Sequence, residues 1–286
     1  MVEGKPFDLF LYTISDTRRL VHILASGVIF SGYIKDLLCV PRPLSPPLTR
    51  ISLSTSASLE YGFPSTHSTN AVSVAVYALF MLHRSESAIQ SEVRLALQIF
   101  CCAYAISIVS GRLYCGMHGF LDVAVGSFLG AALALAKGVY GPIFDEFIFQ
   151  ESLKPLALYI LILLVLVRLH PEPADNCPCF DDSVAFAGVL IGVEAGNWHF
   201  ARTGLAWNEP FYATVPFQLD AIGIATSIMR ILTGVLVVFA WRELMKPALL
   251  RSLPPLFRII EKLGLSLPRR FFIQASYVPS LASRMI

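Results

Sequence analysis

The stretch Phe120–Val139, which reads FLDVAVGSFLGAALALAKGV, decides the fold class of this chain. Its charged side chains are Asp122 and Lys137, which lie near its two ends. A helix of about 20 mostly apolar residues crosses the roughly 30 Å of hydrocarbon in a lipid bilayer. Gly126 and Gly130 favour close packing against another helix, because helices in lipid associate through packing rather than hydrophobicity. The stretch therefore predicts a membrane-spanning helix with a close helical neighbour.

Six further stretches fit the same template, of which the second and fifth spans of the chain are the weakest because they are short. Of the 286 residues, 55% are hydrophobic and 15% are charged, and the mean hydropathy is +0.65. Soluble domains carry about 25% charged residues. We therefore predict an all-α, polytopic transmembrane helix bundle of about seven spans. The other six are Leu20–Leu38, Asn70–Leu82, Leu95–Ser110, Leu156–Leu169, Val184–Phe200 and Ala221–Trp241.

The predicted domains follow from these spans. Residues 1–19 form an N-terminal cytosolic segment, residues 20–242 the transmembrane domain, and residues 243–286 a basic C-terminal tail at the membrane interface. A basic tail prefers the cytoplasm, yet alternating spans place it on the side of the loops that follow odd-numbered spans. Either a span is miscounted or Leu249–Leu267 lies along the interface. The net charge of +2 is too small to indicate a nucleic-acid partner.

Two cations mark the end of the first predicted span. Lys35 lies near that end, and Arg42 follows seven residues later between Pro41 and Pro43. A helix continued to Val40 would place both cations near one face, and the prolines would then end it. Arginine offers a planar bidentate fork and lysine a point charge, so the pair suits a phosphate dianion. The alternative is that both side chains extend to the lipid head groups.

A predicted helix start precedes the second span. Pro64, Ser65 and Thr66 come before an apolar helix, which is typical of a helix N-terminus. The free N–H groups and the dipole at such an end bind anions. His67, in the first turn, could donate a proton to a leaving oxygen there. The alternative is a capped helix with an incidental exposed histidine.

A histidine and an aspartate lie four residues apart at the start of the fourth span. On a helix, His118 and Asp122 would share a face and touch. A carboxylate on one ring nitrogen fixes the tautomer and leaves the other nitrogen free to attack. Arg112, just upstream, adds a cation for an anionic ligand. The alternatives are an ordinary structural pair or a metal ligand, which would need further donors nearby.

Alternating spans bring these clusters to one side of the membrane. The loops on that side cover Pro41–Ser68, Gly111–Gly119 and His170–Ser183. In the last of them, Cys177 and Cys179 could form a disulfide, although a strained one. Phosphoryl transfer depends mainly on positioning and charge stabilisation. The three cations, two histidines and one helix N-terminus suffice for it, so we expect a lipid phosphate as ligand, membrane lipids as the surroundings, and no metal or cofactor.

The three clusters resemble the motifs of the type 2 phosphatidic acid phosphatase superfamily. That superfamily carries Lys-x6-Arg-Pro, Pro-Ser-Gly-His and Ser-Arg-x5-His-x3-Asp, and the resemblance implies a helix bundle of the phosphatase and haloperoxidase-like type. Thr66 stands where the pattern has glycine, and Gly111 separates Ser110 from the arginine. The matching stretches here are Lys35–Pro43, Pro64–His67 and Arg112–Asp122.

Longer stretches are similar to the sphingosine-1-phosphate phosphatases, especially to fungal members that act on long-chain base phosphates. This resemblance covers roughly Arg19 to Phe272. Members usually carry another hydrophobic span before the one at Leu20, which implies that this chain is N-terminally shortened. The stretches are Lys35–Pro47, Glu60–Asn70, Arg112–His118 and His170–Asp182.

The resemblance implies a role for each site residue. His118 attacks phosphorus, Asp122 orients it, and His67 protonates the departing sphingoid oxygen. Water then hydrolyses the phosphohistidine. The family works in the endoplasmic reticulum membrane with its site towards the lumen. The residues implied to hold the phosphate are Lys35, Arg42, Ser65, Thr66 and Arg112.

Other functions fit parts of the pattern. A broader lipid phosphate phosphatase acting on phosphatidic or lysophosphatidic acid would use the same catalytic pocket. A vanadium haloperoxidase uses a similar anion pocket, but seven spans argue against it, and phosphocholine transferases generally lack the first motif. A membrane protein that binds or transports lipids without catalysis is the alternative from another class. Transporters often have repeated halves, and the sequence has no visible repeat.

Overall fold

The computed structural model describes residues 14–52, 59–84, 89–175, 177–203 and 223–264. Helices and connecting loops, without a strand, make up these ranges. Each predicted span coincides with one helix, although the seventh was predicted to begin at Ala221, outside the described residues. The all-α prediction is confirmed. The helices are α1 (Ile14–Leu38), α2 (Thr66–Arg84), α3 (Ser91–Tyr114), α4 (Phe120–Ile148), α5 (Lys154–Arg168), α6 (Cys179–Phe200) and α7 (Ile224–Lys262).

Four of these helices, α1, α3, α4 and α7, contain segments long and apolar enough to cross a membrane. In α3, Ile99, Phe100 and Ile106 are 61%, 68% and 66% exposed. So many exposed apolar side chains on one helix indicate that its surface contacts lipid rather than water. With 15 residues, α5 is shorter than the roughly 20 needed to span a bilayer. The chain is a multi-pass membrane protein in which some helices are too short to cross unaided.

Helices α2 and α4 approach each other closely at two glycines. A Cβ atom on Gly126 would lie 2.6 Å from the carbonyl oxygen of Ser65, and one on Gly130 would lie 2.1 Å from that of Thr69. Neither distance leaves room for a methyl group beside a peptide backbone. The predicted packing role of these glycines is confirmed.

Helix α1 packs against helices from both early and late parts of the chain. Ile23 forms one buried cluster with Tyr77 of α2 and Ala134 of α4. Ala25 belongs to a second cluster with Leu190 of α6. Apolar contacts to several partners fix α1, and therefore fix the cation near its C-terminal end.

A buried ionic cluster lies near the N-terminal end of α1. Arg18 pairs with both Asp145 and Glu194, and its Nη1 donates to Glu194 Oε2 at 2.7 Å. Arg19 Nε donates to Asp145 Oδ2 at 2.8 Å, and His22 Nε2 lies 2.5 Å from Glu194 Oε1. The predicted start of the first span at residue 20 is therefore too late, because both arginines belong to the helix. We call these five residues the N-terminal cluster.

The chain divides into two compact units, residues 1–216 and 217–286. The second unit carries α7, a helix of 39 residues with Pro247, Pro254 and Pro255 inside it. The predicted boundary between the transmembrane domain and the tail, at residues 242 and 243, falls within this helix. The interfacial position of the tail stays a prediction.

Candidate active site

The three polar loops meet where α1 ends and where α2 and α4 begin. Ile51 N donates to Cys115 O at 3.0 Å, which joins the first loop to the second. Asp175 N donates to Tyr61 Oη at 2.9 Å, which joins the first loop to the third. The prediction that these loops share one side is confirmed for their described parts.

The loop after α1 begins earlier than predicted. The helix ends at Leu38, and Cys39 adopts a left-handed conformation with φ of 51°. The interpretation that one helix continues to Val40 and aligns both cations is therefore wrong. The turn at Cys39 changes the chain direction, so Arg42 approaches Lys35 through the loop instead.

The two predicted phosphate-binding cations meet at a carboxylate. Lys35 Nζ donates to Glu60 Oε1, and Arg42 Nη2 donates to Glu60 Oε2 at 2.7 Å. Both cations are buried, whereas the Glu60 side chain is partly exposed. Burial acts to raise the pKa of Glu60, but the Lys35 and Arg42 charges outweigh it and keep that pKa below its usual value. Glu60 is thus an anion held by the two cations.

The two ring nitrogens of His118 contact one group that can only accept a hydrogen bond and one that can only donate. Its Nδ1 lies 2.8 Å from the carbonyl oxygen of Gly62, and its Nε2 lies 3.1 Å from Arg42 Nη1. A carbonyl accepts and a guanidinium donates, so Nδ1 carries the proton and Nε2 presents its lone pair. Arg42 Nη1 also donates to the carbonyl of Met117 at 3.0 Å. The imidazole is therefore neutral, with its nucleophilic nitrogen directed at the cations.

The electrostatic surroundings keep this imidazole unprotonated. Burial lowers the pKa of His118 to about 3, and the charges of Arg42 and Lys35 contribute to the lowering. A histidine with an ordinary pKa would be partly protonated at mildly acidic pH. The site thus keeps the His118 ring neutral over the physiological range of pH.

Asp122 has a different position from the one predicted. Helix α4 begins at Phe120 with Gly119 as its N-cap, so His118 precedes the helix and the interpretation of a shared helical face is wrong. Asp122 Oδ2 accepts a hydrogen bond from Gly119 N at 2.7 Å and lies 3.7 Å from His118 Nδ1. The carboxylate is close enough to act electrostatically, but the peptide carbonyl of Gly62 holds the ring.

The hydroxyl groups of Ser65 and Thr66 form hydrogen bonds with other groups of the protein. Ser65 Oγ caps α2 by accepting from Ser68 N at 3.3 Å, and Ser65 N donates to Asp122 O at 3.0 Å. Thr66 Oγ1 lies 2.9 Å from Ser31 Oγ. First-turn N–H groups have no acceptor within their own helix, so the backbone is the part of this segment suited to an anion. A phosphate contact by either hydroxyl stays a prediction.

His67 and Arg112 complete the predicted set. His67 is exposed in the first turn of α2, and Arg112 lies in the last turn of α3. Burial lowers the pKa of Arg42, and, against the opposing effect of Glu60, the charges of Arg50 and Arg112 lower it further. Because its charge acts on Arg42, Arg112 lies within electrostatic range of that residue. Arg50 is a basic residue near the site that sequence reasoning did not select.

Two other site groups were missed by sequence reasoning. The carbonyl of Gly62 has no sequence signal, since every residue carries one. Glu60 had a weak signal, because a set of cations near lipid needs a counter-ion. Asp36, Cys177 and Cys179 place potential metal-ligand atoms within 4.8 Å of one another, and the two sulfur atoms are bonded to each other.

Comparison with known proteins finds several relatives of this chain. A model described as the PAP2 superfamily matches residues 17–140. The chain is 37% identical over 245 residues to a dihydrosphingosine 1-phosphate phosphatase of Schizosaccharomyces pombe, covering 86% of this chain and 58% of the relative. It is 36% identical over 229 residues to a dihydrosphingosine 1-phosphate phosphatase of Saccharomyces cerevisiae, covering 79% and 54%.

A mammalian relative is more distant. Sphingosine-1-phosphate phosphatase 1 of Mus musculus is 29% identical, over 80% of this chain and 52% of its own length. The chain thus spans little more than half the length of these relatives. No solved structure matches it. The matched region, residues 17–140, is similar to the PAP2 superfamily and holds Lys35, Arg42, His67 and His118.

Proposed function

We propose that this protein hydrolyses the phosphate monoester of sphingoid long-chain base 1-phosphates through a phosphohistidine on His118. The observation that carries the proposal is the neutral imidazole whose Nε2 lies 3.1 Å from Arg42, beside the Lys35–Glu60 pair. A nucleophile next to a set of cations fits attack on a phosphate dianion. The relatives named as dihydrosphingosine 1-phosphate phosphatases support the lipid class.

The first step transfers the phosphoryl group to the histidine. The lone pair of His118 Nε2 forms a bond to phosphorus while the bond from phosphorus to the lipid oxygen breaks. Lys35, Arg42 and Arg112 stabilise the negative charge on the equatorial oxygens. His67 gives its proton to the departing oxygen, which leaves as the alcohol of the sphingoid base.

The second step restores the enzyme. A water molecule gives a proton to His67 and its oxygen attacks phosphorus, so the nitrogen–phosphorus bond breaks and inorganic phosphate is released. The Gly62 carbonyl, 2.8 Å from Nδ1, stabilises the positive charge that the imidazole carries while it is phosphorylated. Asp122, 3.7 Å from the same nitrogen, adds an electrostatic contribution.

The cellular site is part of the same proposal. The active site would lie in the endoplasmic reticulum membrane and open towards the lumen, at the end of the bundle where the three loops meet. A protease or a membrane-impermeant thiol reagent applied to sealed microsomes tests this. We expect the loop around Cys115 to be protected until the membrane is made permeable.

The central experiment measures phosphate release by the full chain in detergent micelles. The substrates are dihydrosphingosine 1-phosphate, phosphatidic acid and lysophosphatidic acid, and the proteins are the wild type and His118→Ala. We expect release that resists EDTA, is inhibited by vanadate, and falls by at least about 1,000-fold on loss of the nucleophile. Acid-labile phosphate should be trapped on the wild type alone.

Several outcomes would contradict the proposal. Release that survives His118→Ala excludes the phosphohistidine, and release that EDTA abolishes excludes a metal-independent site. Equal kcat/KM for all three lipids would instead indicate a broad lipid phosphate phosphatase. No release from any lipid, together with lipid binding, would indicate a non-catalytic membrane protein.

A further inference from the structure

Glu60 occupies the position that a substrate phosphate needs. One carboxylate oxygen pairs with Lys35 Nζ, and the other accepts from Arg42 Nη2 at 2.7 Å. The Glu60 side chain is 24% exposed, whereas those of Lys35 and Arg42 are 2% and 4% exposed. The carboxylate therefore lies between solvent and the two cations. A phosphate that reaches both cations must displace it.

When a phosphate displaces the Glu60 carboxylate from the two cations, two negatively charged groups lie side by side. A phosphate dianion carries twice the charge of the carboxylate, so it displaces Glu60 from the two cations, and Glu60 then faces the phosphate without the two partners that it contacts directly. Like charges held together at low dielectric are costly. Asp182, in the first turn of α6, is within electrostatic range of both Glu60 and Lys35, and it adds a further negative charge. Binding of a lipid that carries phosphate alone is opposed by these two carboxylates.

A substrate with its own cation removes this opposition. A sphingoid base 1-phosphate carries an ammonium group on the carbon next to the phosphate-bearing carbon, so the cation arrives with the dianion. The displaced Glu60 carboxylate can pair with that ammonium while the phosphate pairs with Lys35 and Arg42. With the amine, the two ion pairs of the empty site become three and Glu60 keeps a partner, whereas an amine-free lipid phosphate gives two pairs and leaves Glu60 without a direct one.

We propose that Glu60 is a specificity-determining residue that binds the substrate's ammonium group and so selects amine-bearing lipid phosphates. This inference rests on the proposed function and concerns a different part of the substrate from the phosphate. Glu60 acts on binding and orientation, and it takes no part in the transfer of the phosphoryl group. Its hydrogen-bonded charge pair would be worth a discrimination of about 10- to 100-fold.

The test compares two lipids that differ in the amine alone. Dihydrosphingosine 1-phosphate has a free ammonium, and its N-acetyl derivative carries a neutral amide on the same chain. We expect the wild type to prefer the amine by about 10- to 100-fold in kcat/KM, and Glu60→Gln to bring the ratio close to one. The amide substrate should be hydrolysed by Glu60→Gln at least as well as by the wild type.

Two further variants keep the test decisive. Glu60→Asp retains the charge on a shorter side chain and should retain most of the preference, even if Glu60→Gln folds poorly. Asp181→Asn, an exposed carboxylate on α6, is the matched control and should leave the ratio unchanged. Thermal unfolding in detergent establishes that each variant is folded before its ratio is interpreted.

The outcomes separate this inference from the proposed function. An equal fall for both lipids in Glu60→Gln would mean that Glu60 only pre-organises the cations, and it would overturn the inference while phosphatase activity stands. An unchanged ratio in Glu60→Gln would overturn it as well. Absence of release from either lipid by the wild type would overturn the proposed function and this inference together.

Discussion

Helix α1 carries a polar cluster at each end, and the two clusters differ in how far their carboxylates are exposed to solvent. In the N-terminal cluster, Arg18 and Arg19 pair with the side chains of Asp145 and Glu194, which are 3% and 0% exposed. Near the other end, 17 residues or roughly 25 Å further along the helix, Lys35 and Arg42 share the single carboxylate of Glu60. Arg50 and Arg112 add positive charge there.

The difference indicates which cluster is made for a ligand. Buried charges are tolerated when they are paired, and a set of ion pairs closed to solvent therefore belongs to the fold. Cations that reach solvent only through a partly exposed carboxylate can exchange that carboxylate for a bound dianion. The N-terminal cluster is structural by this criterion, and the cluster around Glu60 is the candidate phosphate site. The following predictions test that assignment.

The largest expected effect is on activity at the site. Arg42→Gln removes a cation that contacts both Glu60 and His118 Nε2, so we expect kcat/KM to fall by about 100- to 1,000-fold. Because Lys35 still holds Glu60, whose side chain is partly exposed, the thermal unfolding midpoint should fall by less than in the Arg18→Gln variant described next. Arg84→Gln, an exposed arginine at the end of α2, is the control. A large loss of stability with normal activity per folded molecule would reverse the assignment.

The next effect is on stability at the opposite end. Arg18→Gln leaves Asp145 and Glu194 without their shared partner, and breaking a buried ion pair costs about 3–5 kcal/mol. We expect a lower yield of folded protein and a lower unfolding midpoint, with unchanged activity per folded molecule. Arg168→Gln, which is exposed, should do neither. If Arg18→Gln folded normally and lost activity, the two ends could not be separated in this way.

A smaller effect is expected between the clusters. Gly130 lies on α4 between Asp122 and Asp145, and its missing side chain admits the backbone of Thr69. Gly130→Ala would force α2 and α4 apart and should destabilise the protein by about 1–3 kcal/mol. Gly188→Ala is the control, because nothing lies within 4 Å of a Cβ placed there. Equal unfolding midpoints for the two variants would refute the close packing.

The effect that is smallest at neutral pH is a dependence of stability on pH. The pKa of His118 is lowered from 6.5 to about 3 in the folded protein, so the unfolded chain binds more protons between these values. Stability should therefore fall as the pH drops below 6.5, by up to about 1.4 kcal/mol per pH unit for this one group. His118→Asn should lack that contribution. Parallel pH curves of unfolding free energy for both proteins would show that His118 is not buried as a neutral ring.

The sequence was sufficient to predict the helices and the convergence of Lys35, Arg42 and His118, although it did not reveal Glu60 or the Gly62 carbonyl. Long apolar runs identify helices in a membrane protein directly, because lipid requires each of them to be apolar along its length. Motifs such as Pro64–His67 carry their own local structure. The convergence of Lys35, Arg42 and His118 followed from the alternation of spans, which is a topological rule.

The contacts inside each cluster could not be predicted in the same way. Arg18 and Glu194 are 176 positions apart, and their pairing depends on how α1 and α6 pack. The left-handed turn at Cys39 has no sequence signal, since residues other than glycine seldom adopt it. The spacing of His118 and Asp122 suggested a helical pair, but Gly119 begins the helix one residue after the histidine.

The hydrogen bond between His118 and a peptide carbonyl has a consequence for how this protein tolerates mutation. Substitution changes side chains and leaves every backbone oxygen in place, so the tautomer of His118 is largely protected from genetic change. Sensitivity moves to the shape of the loop, and there it concentrates at Gly62, where an added Cβ would lie 3.0 Å from both Arg42 Cα and Pro41 O. The tautomer of the His118 ring therefore depends on the path of the main chain around Gly62.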